Sequence, residues 1–540
     1  MSLLSIRDLA IALPEGADRE LAAKDINFDL EPGEILCIVG ESGSGKSMSA
    51  NAVMGLLPQG VKVADGTITF DGQEIIGLNE DQMMALRGRR ISMIFQEPLS
   101  ALNPLLRVGA QIAEVFEAHG ALTGPERQAR ALKLLDEVGI PDPEAAIRAY
   151  PFQLSGGQRQ RVMIAMALAM EPDILIADEP TTALDVTTQA QILKLIENLR
   201  QSRGMAVIFI THDFGVVADI ADRVIVMQTG EIVESGSADD VLLKPQHPYT
   251  RSLIDAIPRL TQYEETPSPE REPVMSVEDL CKTFTTGSGT LFGKRRVVKA
   301  VQNVSFELFA GETIGIVGES GSGKSTVGRC LVRLIDPDEG RVMVEGADIA
   351  HMSGSGLREQ RRKVQMIFQD PFSSLNPRAR VSRILTEGLI AHGASKLDAM
   401  AKARALLEMV GLDASAMARF PHEFSGGQRQ RIGIARALAL DPSIIIADEA
   451  VSALDVSIQA QVLDLLAELK TRLNLSMLFI THDLRVAARI CDRIIVMQKG
   501  QIVEVGPTSK VLHDPDTAYT RSLLDAIPGQ DYERALTEAV

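Results

Sequence analysis

The sequence predicts an α/β protein that consists of two similar domains in tandem, each with a largely parallel sheet. Short apolar runs alternate with helical patterns along the chain, which is typical of parallel strands joined by helices. The chain also repeats itself, because Ser155–Arg161 recurs letter for letter as Ser425–Arg431, 270 residues further on. A repeat of this length indicates a duplicated domain rather than a solenoid. Helical patterns at 125–138 and 397–410 predict a mainly helical subdomain inserted into each half.

The length of the chain and one polar stretch define the expected domain boundaries. A chain of 540 residues exceeds the usual size of one hydrophobic core. The segment 259–273 is rich in Glu, Pro and Thr and lacks hydrophobic periodicity. It is therefore predicted to link a first domain, 1–258, to a second domain, 274–530, with a short tail at 531–540.

Composition excludes several classes of protein. The net charge of -17 argues against nucleic acid as a partner, since nucleic-acid binders are usually basic. The four cysteines are far apart and form no Cys-x-x-Cys pair, which argues against a zinc site and a disulfide framework. No secretory signal follows Met1, and no apolar run reaches the ~18 residues that span a bilayer. A role at a membrane would therefore require partner subunits that cross it.

One glycine-rich loop occurs twice in the chain. Gly40–Ser47 reads Gly-Glu-Ser-Gly-Ser-Gly-Lys-Ser, and Gly318–Ser325 repeats all eight residues. Each loop follows a short apolar run, 35–39 or 313–317, that is expected to form a buried parallel strand. The glycines allow backbone N–H groups to face a phosphate, and the helix expected to begin near Lys46 directs its positive end toward the same phosphate. The loops therefore predict two nucleotide sites.

Side chains of these loops and two acidic pairs are expected to bind the phosphates and Mg²⁺ and to activate water. Lys46 is expected to contact the β- and γ-phosphates, and Ser47 to offer an oxygen to Mg²⁺. The apolar run 174–177 ends in Asp178 and Glu179, and the same pattern recurs 270 residues later. The first carboxylate is expected to hold Mg²⁺ through its water shell, and the second to polarise an attacking water.

Two further polar side chains follow strand-like runs in each half. Gln96 and Gln369 follow the runs 91–94 and 364–367, where an amide is expected to contact the metal or the water. His212 and His482 follow the apolar runs 206–210 and 476–480 and are expected to donate a hydrogen bond to a γ-phosphate.

The repeated Ser-Gly-Gly-Gln segment predicts a second anion-binding end. It precedes a helical run predicted at 161–170, so its hydroxyl and the helix N-terminus are expected to meet a phosphate. A nucleotide held by one phosphate loop leaves one face open. We expect the Ser-Gly-Gly-Gln segment of the other half to close it.

Taken with these motifs, the chain resembles an ABC transporter ATP-binding protein with two fused nucleotide-binding domains, over nearly its whole length. The resemblance implies two P-loop NTPase domains, each with a parallel-sheet core, an antiparallel β subdomain and an inserted helical subdomain. It implies an ATPase whose cofactors are ATP and Mg²⁺. It also implies that the two domains pair head to tail. The glycine-rich loop of one domain, called Walker A in this family, would then face the Ser-Gly-Gly-Gln segment of the other, called the signature.

The site residues implied by the resemblance fall into three groups. Those that bind ATP are Gly40, Ser42, Gly43, Gly45, Lys46, Ser47, Met48, Ser155, Gly156, Gly157 and Gln158 in the first half, and Phe284, Gly318, Ser320, Gly321, Gly323, Lys324, Ser325, Thr326, Ser425, Gly426, Gly427 and Gln428 in the second. Those that hold the metal are Ser47, Gln96, Asp178, Ser325, Gln369 and Asp448. The catalytic residues are Glu179, His212, Glu449 and His482.

The two halves differ where the family stacks adenine on an aromatic ring. Phe284 fits that role in the second half, whereas the first half has Leu13 at the matching position. The resemblance therefore implies an adenine-stacking ring in one site only.

Three segments resemble one subfamily of ABC importers. The segments 95–104 and 368–377 are similar to the extended Q-loop of oligopeptide, dipeptide and nickel importers, and 247–253 is similar to their C-terminal tail. Part of this tail, Tyr249–Leu253, recurs as Tyr519–Leu523. The chain resembles the fused ATPases of Yej-type peptide importers first and those of glutathione importers next. The resemblance implies two transmembrane permease subunits, whose short cytoplasmic helices would contact the segments after Gln96 and Gln369. It also implies a periplasmic solute-binding protein and a peripheral position on the cytoplasmic face of the bacterial inner membrane.

Other functions remain open at this point. Glutathione or nickel import is the alternative within the subfamily. A soluble tandem cassette protein that acts on ribosomes or DNA is the alternative of another class. Such proteins would need a long charged helical linker, paired zinc-binding cysteines or long heptad coils, and the sequence shows none of these.

Overall fold

The computed structural model describes residues 2–96, 101–181, 184–260, 272–286, 296–370, 374–452 and 454–533. The chain forms two compact units. The first contains the residues up to Ile257 together with the chain from Ile527 onward, and the second contains Pro258–Ala526.

The C-terminal residues differ from the predicted division of the chain. Residues 527–533 belong to the first unit, although the second domain was expected to extend to 530. The backbone N–H of Gly529 donates to Asp219 Oδ1 at 2.9 Å, and the hydroxyl of Tyr532 donates to the carbonyl of Leu242 at 3.1 Å. Most of the predicted linker, 261–271, lies outside the described residues.

Two sheets account for the strands described in the first unit. A four-stranded antiparallel sheet has the order β2-β1-β4-β5, and a six-stranded sheet has the order β10-β9-β3-β8-β7-β6. The six-stranded sheet is parallel except for its β9–β10 edge. The strands are β1 Leu4–Ala12, β2 Leu21–Leu30, β3 Ile35–Val39, β4 Lys62–Phe70, β5 Gln73–Glu74, β6 Ile91–Ile94, β7 Ile174–Asp178, β8 Ala206–Ile210, β9 Arg223–Gln228 and β10 Glu231–Ser237.

Both faces of strand β3 are buried in the core of this unit. Ile35, Cys37 and Val39 pack into the hydrophobic cluster that includes the helical subdomain. Leu36 and Ile38 pack into the cluster shared with the antiparallel sheet. A strand buried on both faces reads as a continuous apolar run, which explains why its bounds could be predicted to the residue.

Helices cover the parallel sheet of the first unit. They are α1 Lys46–Met54, α2 Glu80–Leu86, α3 Val108–Ala118, α4 Gly124–Glu137, α5 Pro143–Ala146, α6 Gly156–Ala167, α7 Val186–Arg203, α8 Phe214–Ile220, α9 Ala238–Leu243 and α10 Pro248–Asp255. Helices α3 to α6 lie between β6 and β7 in the chain and form the predicted helical insertion. The helix predicted at 125–138 is α4, and the side chains of Thr123 and Glu126 form a capping box at its start.

The second unit repeats this architecture. Its sheets have the orders β12-β11-β14-β15 and β16-β17-β18-β13-β19-β20. The strands are β11 Pro273–Thr286, β12 Arg296–Phe309, β13 Thr313–Val317, β14 Glu339–Val344, β15 Ala347–Asp348, β16 Val364–Ile367, β17 Ile444–Asp448, β18 Ser476–Ile480, β19 Arg493–Gln498 and β20 Gln501–Pro507. The helices are α11 Lys324–Leu331, α12 Gly354–Lys363, α13 Val381–Ala391, α14 Lys396–Met409, α15 Gly426–Leu438, α16 Val456–Leu473, α17 Leu484–Ile490, α18 Thr508–His513 and α19 Ala518–Asp525. The predicted fold class is confirmed in both units.

Among the residues that the structure describes, no helix combines the length and the apolar character needed to cross a membrane.

Candidate functional site

The phosphate loops lie between a central strand and a helix, as predicted. Helix α1 begins at Lys46 and α11 at Lys324, and each is preceded by a glycine in the left-handed conformation. Gly40 has φ 147°, and a Cβ atom at this residue would lie 2.2 Å from the carbonyl oxygen of Met227. Gly318 has the same relation to Met497, also at 2.2 Å. The first glycine of each loop is therefore required by a close approach of backbone to backbone.

We expect Gly40→Ala to lower the free energy of unfolding by roughly 3 kcal/mol, because it adds both backbone strain and a clash. Gly72→Ala is the matched control, since Gly72 has φ 76° and open space around its missing Cβ. Its cost should be about 1 kcal/mol. Urea unfolding followed by circular dichroism measures both. Equal losses for the two variants would show that the contact with Met227 does not matter.

The lysine of each loop is buried and lies across the start of the loop. Lys46 Nζ donates to the carbonyl oxygens of Gly40 at 2.6 Å and Glu41 at 2.9 Å. Lys324 Nζ makes the equivalent bonds to Gly318 at 2.7 Å and Glu319 at 2.9 Å. The loop thus holds a positive charge beside its own backbone amides, which suits a phosphate group.

The remaining predicted residues of the loops occupy the turn and the first helical turn. Gly43 and Gly321 have φ 80° and 81°, and their missing Cβ atoms face open space. The following residues also lie at this turn or at the start of α1 and α11: Ser42, Gly45, Ser47, Met48, Ser320, Gly323, Ser325 and Thr326.

A hydroxyl–carboxylate pair joins each phosphate loop to the neighbouring strand. Ser47 Oγ donates to Asp178 Oδ1 at 2.9 Å, and Ser325 Oγ donates to Asp448 Oδ1 at 2.7 Å. Burial raises the pKa of Asp178 to about 6 against the effect of the Ser47 hydrogen bond, and it raises the pKa of Asp448 in the same direction. A nearby cation would favour the ionised form of such a buried carboxylate. The two oxygen ligands therefore fit Mg²⁺, which prefers carboxylate, hydroxyl and water oxygens.

The glutamate after each strand adopts an unusual backbone conformation. Glu179 and Glu449 both have φ 47°, in the left-handed region. Their backbone N–H groups donate to the carbonyls of Ile210 and Ile480 at 2.9 Å, at the ends of β8 and β18. Glutamate does not favour this conformation, so the sequence carried no signal for it. Such strain is found at functional sites.

Each of these glutamates contacts the predicted glutamine and histidine of its own half. Gln96 Nε2 donates to Glu179 Oε2 at 3.0 Å, and His212 Nδ1 lies 3.5 Å from Glu179 Oε1. In the second unit, Gln369 Nε2 donates to Glu449 Oε2 at 2.6 Å. The distance from His482 Nδ1 to the same oxygen is 3.6 Å. The glutamines thus lie on the carboxylate, and their contact with a metal stays a prediction.

In the second unit, Glu449 and His482 affect each other's ionisation. Burial acts against the charged forms of Glu449 and His482, but the contact between them has the larger combined effect. It holds the pKa of Glu449 below its usual value and the pKa of His482 above its usual value. Each side chain therefore stabilises the charged form of the other.

The Ser-Gly-Gly-Gln segments form helix N-termini, but the predicted helix start at 161 was wrong. Helix α6 begins at Gly156 and α15 at Gly426. In the first unit, Gln158 N–H donates to Ser155 Oγ at 3.2 Å, and Ser155 N–H donates to Gln158 Oε1 at 3.1 Å. The reciprocal bonds of this capping box allow the helix to begin at the two glycines despite their low helix propensity.

The second segment has the same capping box, between Ser425 and Gln428. Gly157 and Gly427 lie inside the first helical turn. Ser155 and Gly156 are exposed, as is Ser425. The pairing of each segment with the opposite phosphate loop stays a prediction.

The two halves differ at the expected adenine position. Phe284 lies near the end of β11 with 37% of its surface exposed, and Lys282 Nζ lies 5.7 Å from its ring centre. Leu13 follows β1 and packs partly buried against the hydrophobic cluster of the antiparallel sheet. Sequence reasoning missed Arg19, whose Nη2 donates to the carbonyl of Gly43 in the first phosphate loop at 2.5 Å.

Comparison with known proteins gives a family for both halves. The ABC transporter family matches residues 23–182 and 301–452. The family described as the C-terminal region of oligopeptide/dipeptide transporters matches residues 233–296 and 503–539.

Curated relatives match along nearly the whole chain. The glutathione import ATP-binding protein GsiA of Salmonella paratyphi A is 48% identical over 563 residues, which cover 98% of this chain and 90% of that protein. The peptidoglycan transport ATP-binding protein YejF of Agrobacterium fabrum is 48% identical over 531 residues, which cover 97% of this chain and 96% of that protein. The GsiA of Escherichia coli is 47% identical over 574 residues, which cover 100% and 92% of the two chains.

The resemblance seen in the sequence is thereby confirmed. The chain belongs to the ABC transporter family and is an ATP-binding protein with two cassettes that hydrolyses ATP.

Proposed function

We propose that this chain is the ATPase subunit that powers the uptake of peptides through partner permease subunits. The observation that carries the proposal is the match of both C-terminal regions to oligopeptide/dipeptide transporters, on a chain whose two cassettes both have the phosphate loop, the acidic pair, the glutamine and the histidine. Its partners would be two transmembrane permeases and a periplasmic solute-binding protein. The chain would lie peripherally on the cytoplasmic face of the inner membrane.

The residues of the first cassette suggest how ATP is hydrolysed. The loop amides and Lys46 hold the β- and γ-phosphates. Ser47 and Asp178 would hold Mg²⁺, which would offset phosphate charge. Glu179 accepts the proton of the attacking water. Gln96 orients this carboxylate through its 3.0 Å hydrogen bond. His212 donates to the γ-phosphate.

The second cassette uses the equivalent residues in the same roles. The lysine is Lys324, the metal ligands are Ser325 and Asp448, and the base is Glu449 with its partners Gln369 and His482. We further propose that the exposed N-termini of α6 and α15 complete the opposite sites head to tail. An exposed and capped helix N-terminus of this kind offers backbone N–H groups to an anion.

A groove in the second unit supports the assignment of a permease contact. It has a volume of about 340 Å³ and lies between the strand end at Phe368 and helix α13. Its lining is mainly apolar and includes Leu334, Met366 and Leu385, with Arg436 at one wall. Arg436 Nη1 donates to the carbonyl of Ser374 at 2.6 Å. This bond connects the groove to the segment after Gln369, where a short permease helix would dock.

The names of the relatives suggest two classes of imported solute, peptide-like molecules and glutathione. YejF is described as a peptidoglycan transport protein and GsiA as a glutathione import protein. Peptides and peptide-like fragments fit the proposal best, because the C-terminal family is that of oligopeptide and dipeptide transporters. Glutathione is the second candidate, since a glutathione import protein matches equally well along the chain. Nickel is a further alternative that no relative named here supports.

Reconstitution with the permeases tests the proposal. We expect ATP hydrolysis in proteoliposomes to rise several-fold when the solute-binding protein carries a short peptide, because import couples closure of the cassettes to solute delivery. Phosphate release is measured with peptides, glutathione and Ni²⁺ in parallel. Stimulation by glutathione alone would replace the peptide assignment. Stimulation by none of the three would contradict import of this class.

A further inference from the structure

Two tyrosines outside the motifs of the ATPase core contact the phosphate loops. Tyr249 is in α10, and its hydroxyl accepts a hydrogen bond from the backbone N–H of Glu41 at 3.2 Å. Tyr519 is in α19, and its hydroxyl accepts the equivalent bond from Glu319 at 3.2 Å. Each bond joins the C-terminal region of a cassette to the second residue of its phosphate loop.

We propose that Tyr249 and Tyr519 are positioning residues that fix the phosphate loops for ATP binding. The proposal rests on the proposed role of these loops in holding the phosphates. It extends that role to the C-terminal segments of the cassettes, which the motifs of the ATPase core do not include.

The bond acts on one peptide group of the loop. The carbonyl of Gly40 and the N–H of Glu41 belong to the same peptide unit. Lys46 Nζ donates to that carbonyl at 2.6 Å, while Tyr249 accepts from that N–H. The peptide plane is therefore held at both ends. Gly40 has no side chain to restrict its rotation, so these two bonds fix the orientation of the plane.

The tyrosine is itself carried by an anchored helix. In the first unit, the carboxylate of Glu234 accepts hydrogen bonds from the backbone N–H groups of Gln246 at 2.6 Å and His247 at 3.1 Å. Arg251 Nε donates to the carbonyl of Pro245 at 2.8 Å. These contacts fix the turn that precedes α10, so the hydroxyl of Tyr249 is presented to the loop from a rigid support.

The second unit uses the same support with different neighbours. Glu504 accepts from the backbone N–H groups of Asp516 at 2.8 Å and Thr517 at 3.2 Å. His247-Pro248 of the first unit is replaced by Thr517-Ala518, yet the tyrosine bond has the same length in both units. A contact that only packed the helix would not need the hydroxyl in both.

Removal of both hydroxyls tests the proposal in the full chain. We expect Tyr249→Phe combined with Tyr519→Phe to weaken the binding of MgADP roughly 3- to 10-fold, the loss expected for one neutral hydrogen bond per site. The dissociation constant is measured by titration calorimetry. In ATP hydrolysis, KM should rise with little change in kcat, because the loop is fixed before the reaction begins.

Tyr532→Phe provides the matched control. It removes a tyrosine hydroxyl that donates to the backbone of Leu242 at 3.1 Å, away from the phosphate loops. Thermal unfolding without nucleotide checks that the variants are folded alike. Hydrogen exchange of the peptides that contain Glu41 and Glu319 gives a second measurement, and it should be faster only in the Tyr249→Phe, Tyr519→Phe variant.

The possible outcomes distinguish a failure of the tyrosine proposal from a failure of the assignment of the phosphate loops. Unchanged affinity and unchanged exchange in the double variant would overturn it, as would an equal loss of affinity in Tyr532→Phe. Failure of the loop assignment has a different signature. In that case Lys46→Ala combined with Lys324→Ala would bind MgADP normally, and both proposals would be overturned.

Discussion

ATP hydrolysis should fall roughly 10²- to 10⁴-fold when Glu179→Gln and Glu449→Gln are combined, the range expected for loss of a general base. The glutamine amide has nearly the same size as the carboxylate but cannot accept the proton of the attacking water. ATP binding should be retained, because the phosphate loops and their lysines are unchanged. Phosphate release under saturating MgATP measures the loss of turnover.

The control replaces two exposed glutamates, one in each unit. Glu144 and Glu468 are exposed on α5 and α16. Combining Glu144→Gln with Glu468→Gln changes the net charge by the same amount, and turnover should stay at the level of the unaltered chain. Normal turnover in the Glu179→Gln, Glu449→Gln variant would show that these residues are not the general bases.

Nucleotide affinity should fall roughly 10- to 100-fold when Lys46→Ala and Lys324→Ala are combined, because each site loses a charged hydrogen-bond donor. Both lysines are 5% exposed, so little water can replace the lost ammonium group. Titration calorimetry with MgADP measures the effect. Lys133→Ala with Lys396→Ala, two exposed lysines on α4 and α14, is the control for the loss of charge. Unchanged affinity for MgADP in the Lys46→Ala, Lys324→Ala variant would contradict the role of the phosphate loops in nucleotide binding.

The parallel core and its phosphate loops could be predicted from the sequence because their signals are local. Strands β3, β8 and β13 are continuous apolar runs, and their observed bounds are those predicted. The glycines and the lysine of each loop identify the following helix start. The inserted helices α4 and α14 begin and end one residue away from their predicted bounds.

Other features depend on contacts that are distant in sequence. The bond between Gln96 and Glu179 joins residues 83 positions apart, and nothing in the local sequence indicates it. The left-handed backbone of Glu179 is imposed by its bond to the end of β8. The same applies to residues 527–533, whose association with the first unit has no local signal.

The start of α6 could have been found from the sequence. Ser155 followed three residues later by Gln158 is a capping-box pattern. The two intervening glycines have low helix propensity, so the helix was predicted to begin after them. Tyr249 and Tyr519 were recognised only as part of a repeated tail, because a hydroxyl that contacts the loop from 200 or more positions away cannot be deduced locally.

The central claim is that the chain has two functional ATP sites, one at each phosphate loop. Counting the ATP bound per chain by equilibrium dialysis, in the Glu179→Gln, Glu449→Gln variant that retains unhydrolysed nucleotide, tests it most directly. The account predicts two ATP sites per chain in this variant. When Lys46→Ala is added, one site should keep its affinity and the other should bind ATP roughly 10- to 100-fold more weakly. A single site in the parent variant, or two sites of unchanged affinity after Lys46→Ala is added, would contradict it.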